Sequence, residues 1–191
     1  TISITNTSST SKTFAGGGGT YNHLTITGVG TGAVIFTGAN TFNNFTINNP
    51  KTVTFPASTT TTISGTFSCT GTSGNVITIN SSTSGTAATL SKSSGTVSCD
   101  YLSLKDSAGT GGATWTPGTN STNVSGNSGW VFDTTAPTIT NVSSDKANGN
   151  YTTGEVIDID VTFSETVTST GSVTVTLETG ATDQTCTFTV T

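Results

Sequence analysis

An internal repeat constrains this sequence more than any other feature. Segment 20–27, TYNHLTIT, returns 21 residues later as segment 41–48, TFNNFTIN, and a looser copy begins at Ile63. A period near 20 residues in short β segments is typical of a solenoid, in which each coil stacks its strands on the coil before it. The repeat therefore predicts a parallel β-helix (β-solenoid) over residues 1–132, with coils of about 21 residues.

The composition supports strands rather than helices. Only 8% of the residues are charged, and Thr, Ser, Gly and Asn are abundant. Thr is β-branched and suits a strand, whereas Gly, Asn and Ser supply turns. No window repeats apolar residues at the spacing of a helix face. We therefore expect an all-β chain, with further strands at 75–79, 86–90 and 96–104.

Alternation within the repeats predicts which side chains fill the solenoid, because successive side chains point to opposite faces of a strand. The predicted inward set is Leu24, Ile26, Phe45, Ile47, Phe67 and Cys69. We also expect Asn22 and Asn43 to form an amide ladder at a corner. Trp115 and Trp130 are expected to cover the end of the solenoid.

A change in composition marks a second domain. Every acidic residue lies at or after Asp100, and Pro137 ends the linker 133–137, DTTAP. Beyond it, the alternation at 156–163 and 172–177 is typical of a sandwich. An immunoglobulin-like β-sandwich needs about seven strands, and residues 138–191 hold about four, so we expect an incomplete domain. Either the chain continues or another copy donates strands, which makes neighbouring domains or self-association the expected partners.

These motifs carry a resemblance to known families. The repeats and Gly129-Trp130-Val131-Phe132 resemble right-handed parallel β-helix segments of large secreted bacterial and archaeal surface proteins. The DTTAP linker and the continuation through Glu178-Thr179-Gly180 resemble the tandem bacterial immunoglobulin-like domains of giant adhesins. The resemblance implies an extracellular, secreted or surface-displayed segment with a structural or adhesive role, and surface glycans are a candidate partner.

The charged residues argue against an enzyme. Polysaccharide-cleaving β-helices use clustered carboxylates, whereas residues 1–99 contain no Asp, Glu or Arg. Lys105 and Asp106 are adjacent, so a strand would direct them to opposite faces. His23, the only histidine, takes the place of Asn44 in the next repeat and suits a polar ladder. We expect no catalytic residue and no cofactor other than calcium; a carbohydrate-binding or carbohydrate-degrading β-helix remains an alternative.

Two classes of partner are not expected. The five Lys are scattered and Arg is absent, so no basic stripe is available for nucleic acid. No apolar run approaches the roughly 20 residues of a membrane-spanning helix. We therefore expect neither nucleic-acid binding nor membrane insertion.

Threonine triplets raise ice binding as an alternative function. Segments 25–27, 46–48 and 52–54 read TIT, TIN and TVT, and a flat Thr array on a solenoid resembles the ice-binding face of several antifreeze proteins. Asn interrupts the columns, and strand propensity alone accounts for Thr. Ice binding stays open beside the structural role.

Cys69 and Cys99 fit inward positions in consecutive coils, provided that the coil between them is longer. Stacked rungs lie about 4.8 Å apart, close to the Cα separation of a disulfide. We predict a Cys69–Cys99 disulfide, with two buried thiols as the alternative. Cys186 is expected to be free.

Two further predictions concern calcium and glycans. Asp133 in the linker is a candidate to meet Glu155, Asp158 or Asp160, whose oxygens suit Ca²⁺; alternatively, Asp158 and Asp160 form the solvated face of one strand. Asn-x-Ser/Thr sequons suit N-glycosylation of a secreted protein. The candidate acceptors are Asn6, Asn44, Asn80, Asn120, Asn123, Asn141 and Asn150.

Overall fold

The computed structural model describes residues 1–48, 50–167, 171–177 and 181–189. The chain divides into two compact units, unit 1 at Thr1–Asp133 and unit 2 at Thr134–Thr191. The described residues form strands, turns and irregular segments, as expected for an all-β chain. None of them belongs to a helix long and apolar enough to cross a membrane.

Unit 1 is a β-solenoid, as the repeat predicted. Every pairing between its strands is parallel, so each coil of chain adds one rung to the stack. The strands are β1 (Ile2–Thr5), β2 (Lys12–Ala15), β3 (Thr20–Thr27), β4 (Val34–Thr37), β5 (Thr41–Ile47), β6 (Lys51–Phe55), β7 (Thr60–Ile63), β8 (Phe67–Ser68), β9 (Ile77–Ser81), β10 (Ala88–Ser91), β11 (Thr96–Ser98), β12 (Leu102–Lys105), β13 (Ser107–Thr110), β14 (Thr114–Thr116) and β15 (Thr122–Ser125).

The stack contains six coils, which are counted along the sheet β2-β4-β6-β9-β12-β15. A second sheet runs β1-β3-β5-β7-β10-β13, and β11 pairs with β14 on a third side. The longer strand β5 serves two sides, because its Thr41–Phe42 part pairs with β7 and its Phe45–Thr46 part pairs with β8. The described coils therefore enclose a three-sided interior.

Coil length is constant only in the first coils. Leu24 pairs with Phe45, 21 residues later, but Thr60 pairs with Thr89, 29 residues later. The extra residues lie in the exposed loops 72–76 and 82–85. The predicted period of about 21 residues is therefore wrong for the later coils, because loops at the corners lengthen without changing the stacked strands.

The strand predictions need two corrections in this region. The strands predicted at 75–79 and 86–90 begin two residues later, as β9 and β10. The strand predicted at 96–104 is divided into β11 and β12. Tyr101 between them has a φ of 51°, in the left-handed region that ends an extended strand.

The interior is filled by the predicted inward set, which is confirmed. All six of its members are buried. Aromatic rings continue this core from Phe14 through Phe36 and Phe45 to the C-terminal coils, with neighbouring centroids 5.3 to 5.6 Å apart in this part of the stack. Trp130 packs on Trp115 at 5.0 Å in the next rung, in agreement with the predicted cap.

Glycines let two corner loops of unit 1 approach closely. Gly28 has a φ of 98°, and a Cβ on it would lie 2.4 Å from the carbonyl oxygen of Asn6. The backbone N–H of Gly30 donates to that same oxygen at 3.0 Å. The segment around Gly28 therefore lies directly on the Asn6 turn, as only glycine permits.

Unit 2 contains four described strands in two antiparallel pairs. These are β16 (Ile139–Ser144) with β17 (Ile159–Phe163), and β18 (Ser172–Leu177) with β19 (Gln184–Thr189). The second predicted strand is confirmed as β18, whereas the predicted strand 156–163 begins only at Ile159. Residues Glu178-Thr179-Gly180, which carry part of the adhesin resemblance, lie outside the described residues.

The apolar side chains of unit 2 are partly uncovered, as expected. Val161, Val175 and Leu177 are half-buried and Phe163 is 36% exposed. Val161, Val175, Leu177 and Cys186 line one open cleft of about 300 Å³. Two strand pairs are the architecture that unit 2 shows; they do not by themselves make a sandwich.

Candidate functional site

Two outward columns of hydroxyl groups run along unit 1. The first hydroxyl column is defined by five side chains in unbroken register, Thr20, Thr41, Thr62, Ser91 and Thr110. The second is defined by Ser3, Thr25, Thr46 and Ser68. Each residue of a column adds a hydroxyl that both donates and accepts hydrogen bonds. The columns are thus regular polar surfaces along the stack.

The columns differ from the array on which ice binding was based. Thr25 and Thr46 are in register, but Thr52 and Thr54 belong to β6, which pairs with β4 and β9 in the other six-stranded sheet. The three triplets therefore do not form one face. Their separation follows from the coil geometry, since β5 and β6 lie on different sides of the solenoid.

Polar side chains also stack at the corner where β3 and β5 bend. This corner ladder consists of Asn22, His23, Asn43 and Asn44. Asn43 Nδ2 donates to Asn22 Oδ1 at 3.2 Å, which confirms the predicted amide ladder. Asn44 Nδ2 lies 2.9 Å from His23 Nδ1, so His23 is a rung of the ladder, as its repeat position predicted.

A charged side chain is buried at the opposite corner. Lys51 is 3% exposed, and its ammonium donates to the carbonyl oxygens of Gly30 at 2.6 Å and Asn6 at 3.1 Å. The bonds reach two earlier coils, so the Lys51 cluster ties three coils together. Burial disfavours the charged form and lowers the pKa of Lys51 from its ordinary value of 10.5.

Raising the pH from about 7 towards 10.5 is expected to increase the free energy of unfolding of the wild type relative to Lys51→Met. Because burial lowers the folded-state pKa of Lys51 below 10.5, the unfolded chain holds more protons between these two values. Stability therefore rises with pH across that window. The neutral amine keeps two N–H groups, enough for the carbonyls of Asn6 and Gly30.

Urea denaturation followed by tryptophan fluorescence measures this effect, because both tryptophans lie in unit 1. Lys51→Met keeps an unbranched side chain but removes the titrating group. Parallel curves of unfolding free energy against pH for the two proteins would contradict the assignment to Lys51.

The carboxylates of unit 1 cap turns. Asp100 accepts the backbone N–H groups of Tyr101 at 2.9 Å and Asn120 at 3.0 Å. Asp106 is buried and accepts the N–H of Gly85 at 3.0 Å. These bonds hold the turns between strands. Lys105 is half-buried on the outward side of β12 while Asp106 is buried, so the two side chains are separated as predicted.

The calcium candidates remain a prediction. Asp133 ends unit 1, whereas Glu155, Asp158 and Asp160 belong to unit 2 and are exposed. Glu155 accepts the backbone N–H of Thr152 at 2.8 Å. Within the described ranges, no group of three or more His, Cys, Asp or Glu is placed to hold a metal ion.

The sequons differ in accessibility. Asn6 is fully buried, and its amide donates to the carbonyls of Thr10 and Gly32 at 3.0 Å. The prediction of a glycan on Asn6 is therefore wrong for the folded solenoid, since the acceptor nitrogen is enclosed and bonded. Half-buried sequon positions are Asn44 and Asn80, and exposed ones are Asn120, Asn123, Asn141 and Asn150.

The predicted disulfide is confirmed. Cys69 and Cys99 are bonded, with Cα atoms 5.3 Å apart, and both are buried. Their neighbours Thr70 and Asp100 form a parallel bridge, which places the cysteines in adjacent rungs. Cys186 is a free, exposed cysteine, as expected.

Sequence reasoning missed the Lys51 cluster, although a signal was present. In β6 the residues at alternate positions are Lys51, Val53 and Phe55, and all three are buried. The same alternation that identified the inward apolar residues places Lys51 inward. A charged residue at an inward position is the signal of a buried polar site.

Comparison with known proteins gives no relative: no protein-family model, curated protein or solved structure matches the chain.

Proposed function

We propose that the chain is a non-catalytic structural and adhesive segment of a large extracellular surface protein, in which unit 1 is a rigid spacer. The observation that carries the proposal is the continuous stack of six coils around one interior. Such a stack grows in one direction and repeats the same outward side chains at each rung. These are the properties that a spacer requires.

The disulfide supports an extracellular location. Cys69 and Cys99 link adjacent coils covalently, and structural disulfides persist in oxidising surroundings such as the cell exterior. Exposed sequons such as Asn120 and Asn150 suit the same location, because N-linked glycans are attached on secretion pathways. Secretion or surface display is therefore part of the proposal.

Unit 2 is proposed to be part of an immunoglobulin-like sandwich. Its β18 alternates exposed and half-buried residues, the pattern of a strand with one covered face. Ile139 and Val142 on β16 are 60% and 59% exposed, which favours contact with a neighbouring domain or a second copy. Calcium at Asp133 and the acids of unit 2 belongs to the same proposal.

Surface glycans are the proposed ligands of the adhesive role. The first and second hydroxyl columns present donors and acceptors in a regular row, which suits hydrogen bonding to sugar hydroxyls. The rows contain no charged side chain, so a neutral glycan is the better match.

Single-molecule pulling tests the spacer role. The full chain, held between immunoglobulin-like handle domains of known unfolding force, is expected to keep unit 1 folded until the handles unfold. Reduction of the Cys69–Cys99 bond should then lengthen the extension released by unit 1 by about 100 Å, since the separation of 30 residues spans roughly 3.3–3.6 Å per residue when extended.

Early unfolding of unit 1, well below the force at which the handles unfold, would contradict the spacer role. Thermal hysteresis and ice recrystallisation in the same preparation examine the ice-binding alternative. Activity that is lost in Thr46→Leu, in the centre of the second hydroxyl column, would replace the spacer proposal with ice binding.

A further inference from the structure

The corner ladder contains one side chain that changes charge under mild conditions, His23. His23 on β3 pairs with Asn44 on β5, and Asn44 Nδ2 lies 2.9 Å from His23 Nδ1. On its other side, Asn44 Oδ1 accepts the backbone N–H of Thr66 at 2.8 Å. One amide therefore links three successive coils.

The Thr66 bond determines the orientation of the amide. A backbone N–H can only donate, so the atom of Asn44 that faces Thr66 must be the oxygen. The NH₂ group then faces His23, and Nδ1 must accept its hydrogen. Because a neutral imidazole accepts at one nitrogen and carries its hydrogen on the other, the hydrogen of His23 is on Nε2.

We propose that His23 makes the corner ladder an acid-sensitive contact between coils. A proton taken from solvent binds Nδ1 and uses the lone pair that had accepted from Asn44. Nδ1–H then points at the NH₂ group of Asn44, two donors facing each other. Turning the amide over would satisfy His23 but would present NH₂ to the N–H of Thr66, so one link between coils is lost in either orientation.

The charged groups near His23 act in the same direction. The paired strands β1 and β5 carry no titratable side chain. Ile2 pairs with Leu24, so the amino group of Thr1 precedes the position opposite His23, and its positive charge repels an imidazolium. Tyr21, on the same strand, donates its hydroxyl to the carbonyl oxygen of Gly16 at 2.7 Å.

The repeat supplies a matched control, because Asn44 occupies the position equivalent to His23 in the next coil. The variant His23→Asn keeps an oxygen that can accept from Asn44, as Asn22 Oδ1 accepts from Asn43 at 3.2 Å. It removes the only titrating group of the ladder. Any difference in pH response between the two proteins therefore reports His23.

Between about pH 8 and about pH 5, where histidine changes its charge, the wild-type melting temperature is expected to fall by roughly 3 °C more than that of His23→Asn. Hydrogen exchange at the Thr66 amide should accelerate more in the wild type over the same range. Nitrogen-15 NMR of the full wild-type chain near pH 8 is expected to show the hydrogen on Nε2.

Two results would overturn the inference. One is a hydrogen on Nδ1 near pH 8, and the other is an equal pH response of melting and Thr66 exchange in the two proteins. The tautomer is measured on the wild type, so failure of the variant to fold leaves a decisive measurement in place.

Discussion

Replacing Phe45 by alanine is expected to lower the free energy of unfolding of unit 1 by about 3–5 kcal/mol. Phe45 is fully buried, and its ring lies between those of Phe36 and Phe67, with centroids 5.6 and 5.4 Å away. Removal of the ring leaves a cavity in the middle of the stack, which the hydrogen-bonded strands on either side cannot collapse to fill. The loss therefore combines transfer and cavity terms.

Urea denaturation followed by tryptophan fluorescence measures this loss. Val29→Ala is the control, because Val29 is 77% exposed and its truncation should change stability by no more than about 0.5 kcal/mol. Equal losses in the two variants would show that the aromatic stack does not determine the stability of unit 1.

Removing the disulfide with Cys69→Ala and Cys99→Ala together is expected to cost about 3–4 kcal/mol. The two residues are 30 positions apart, so the bond restricts a long loop in the unfolded chain. Alanine in both positions avoids leaving a buried thiol without its partner. The double variant should therefore unfold at lower urea concentration than the wild type.

Cys186→Ala is the matched control, since Cys186 is exposed and free. Alkylation without reductant followed by mass measurement checks the bond itself and should label one cysteine per chain. Labelling of all three cysteines would refute the disulfide, and an unchanged urea midpoint in the double variant would refute its contribution to stability.

The repeat allowed much of unit 1 to be predicted. Alternation in β3 and β5 identified the buried residues, because parallel stacking keeps the same faces inward in every coil. The repeat did not reveal the later coil lengths, since the loops at 72–76 and 82–85 follow no period. The break at Tyr101 was also missed, because a non-glycine residue with positive φ leaves no clear sequence signal.

The candidate sites were predicted unevenly for physical reasons. The amide ladder of Asn22 and Asn43 and the disulfide depend on register, which the repeat defines. The burial of Asn6 depends on the approach of Gly28 and Gly30 from the next coil, a contact outside the repeated strands. Lys51 was missed because its partners are backbone carbonyls, which any sequence supplies.

The exposed loops of the longer coils have a consequence for how such a chain can change. The segment 82–85 lies between β9 and β10, on a corner where added residues meet solvent rather than the interior. The height of a rung is set by backbone hydrogen bonding, so the contour length of a coil is decoupled from its step along the axis. Guest sequences can accumulate at these corners while the stack retains its dimensions.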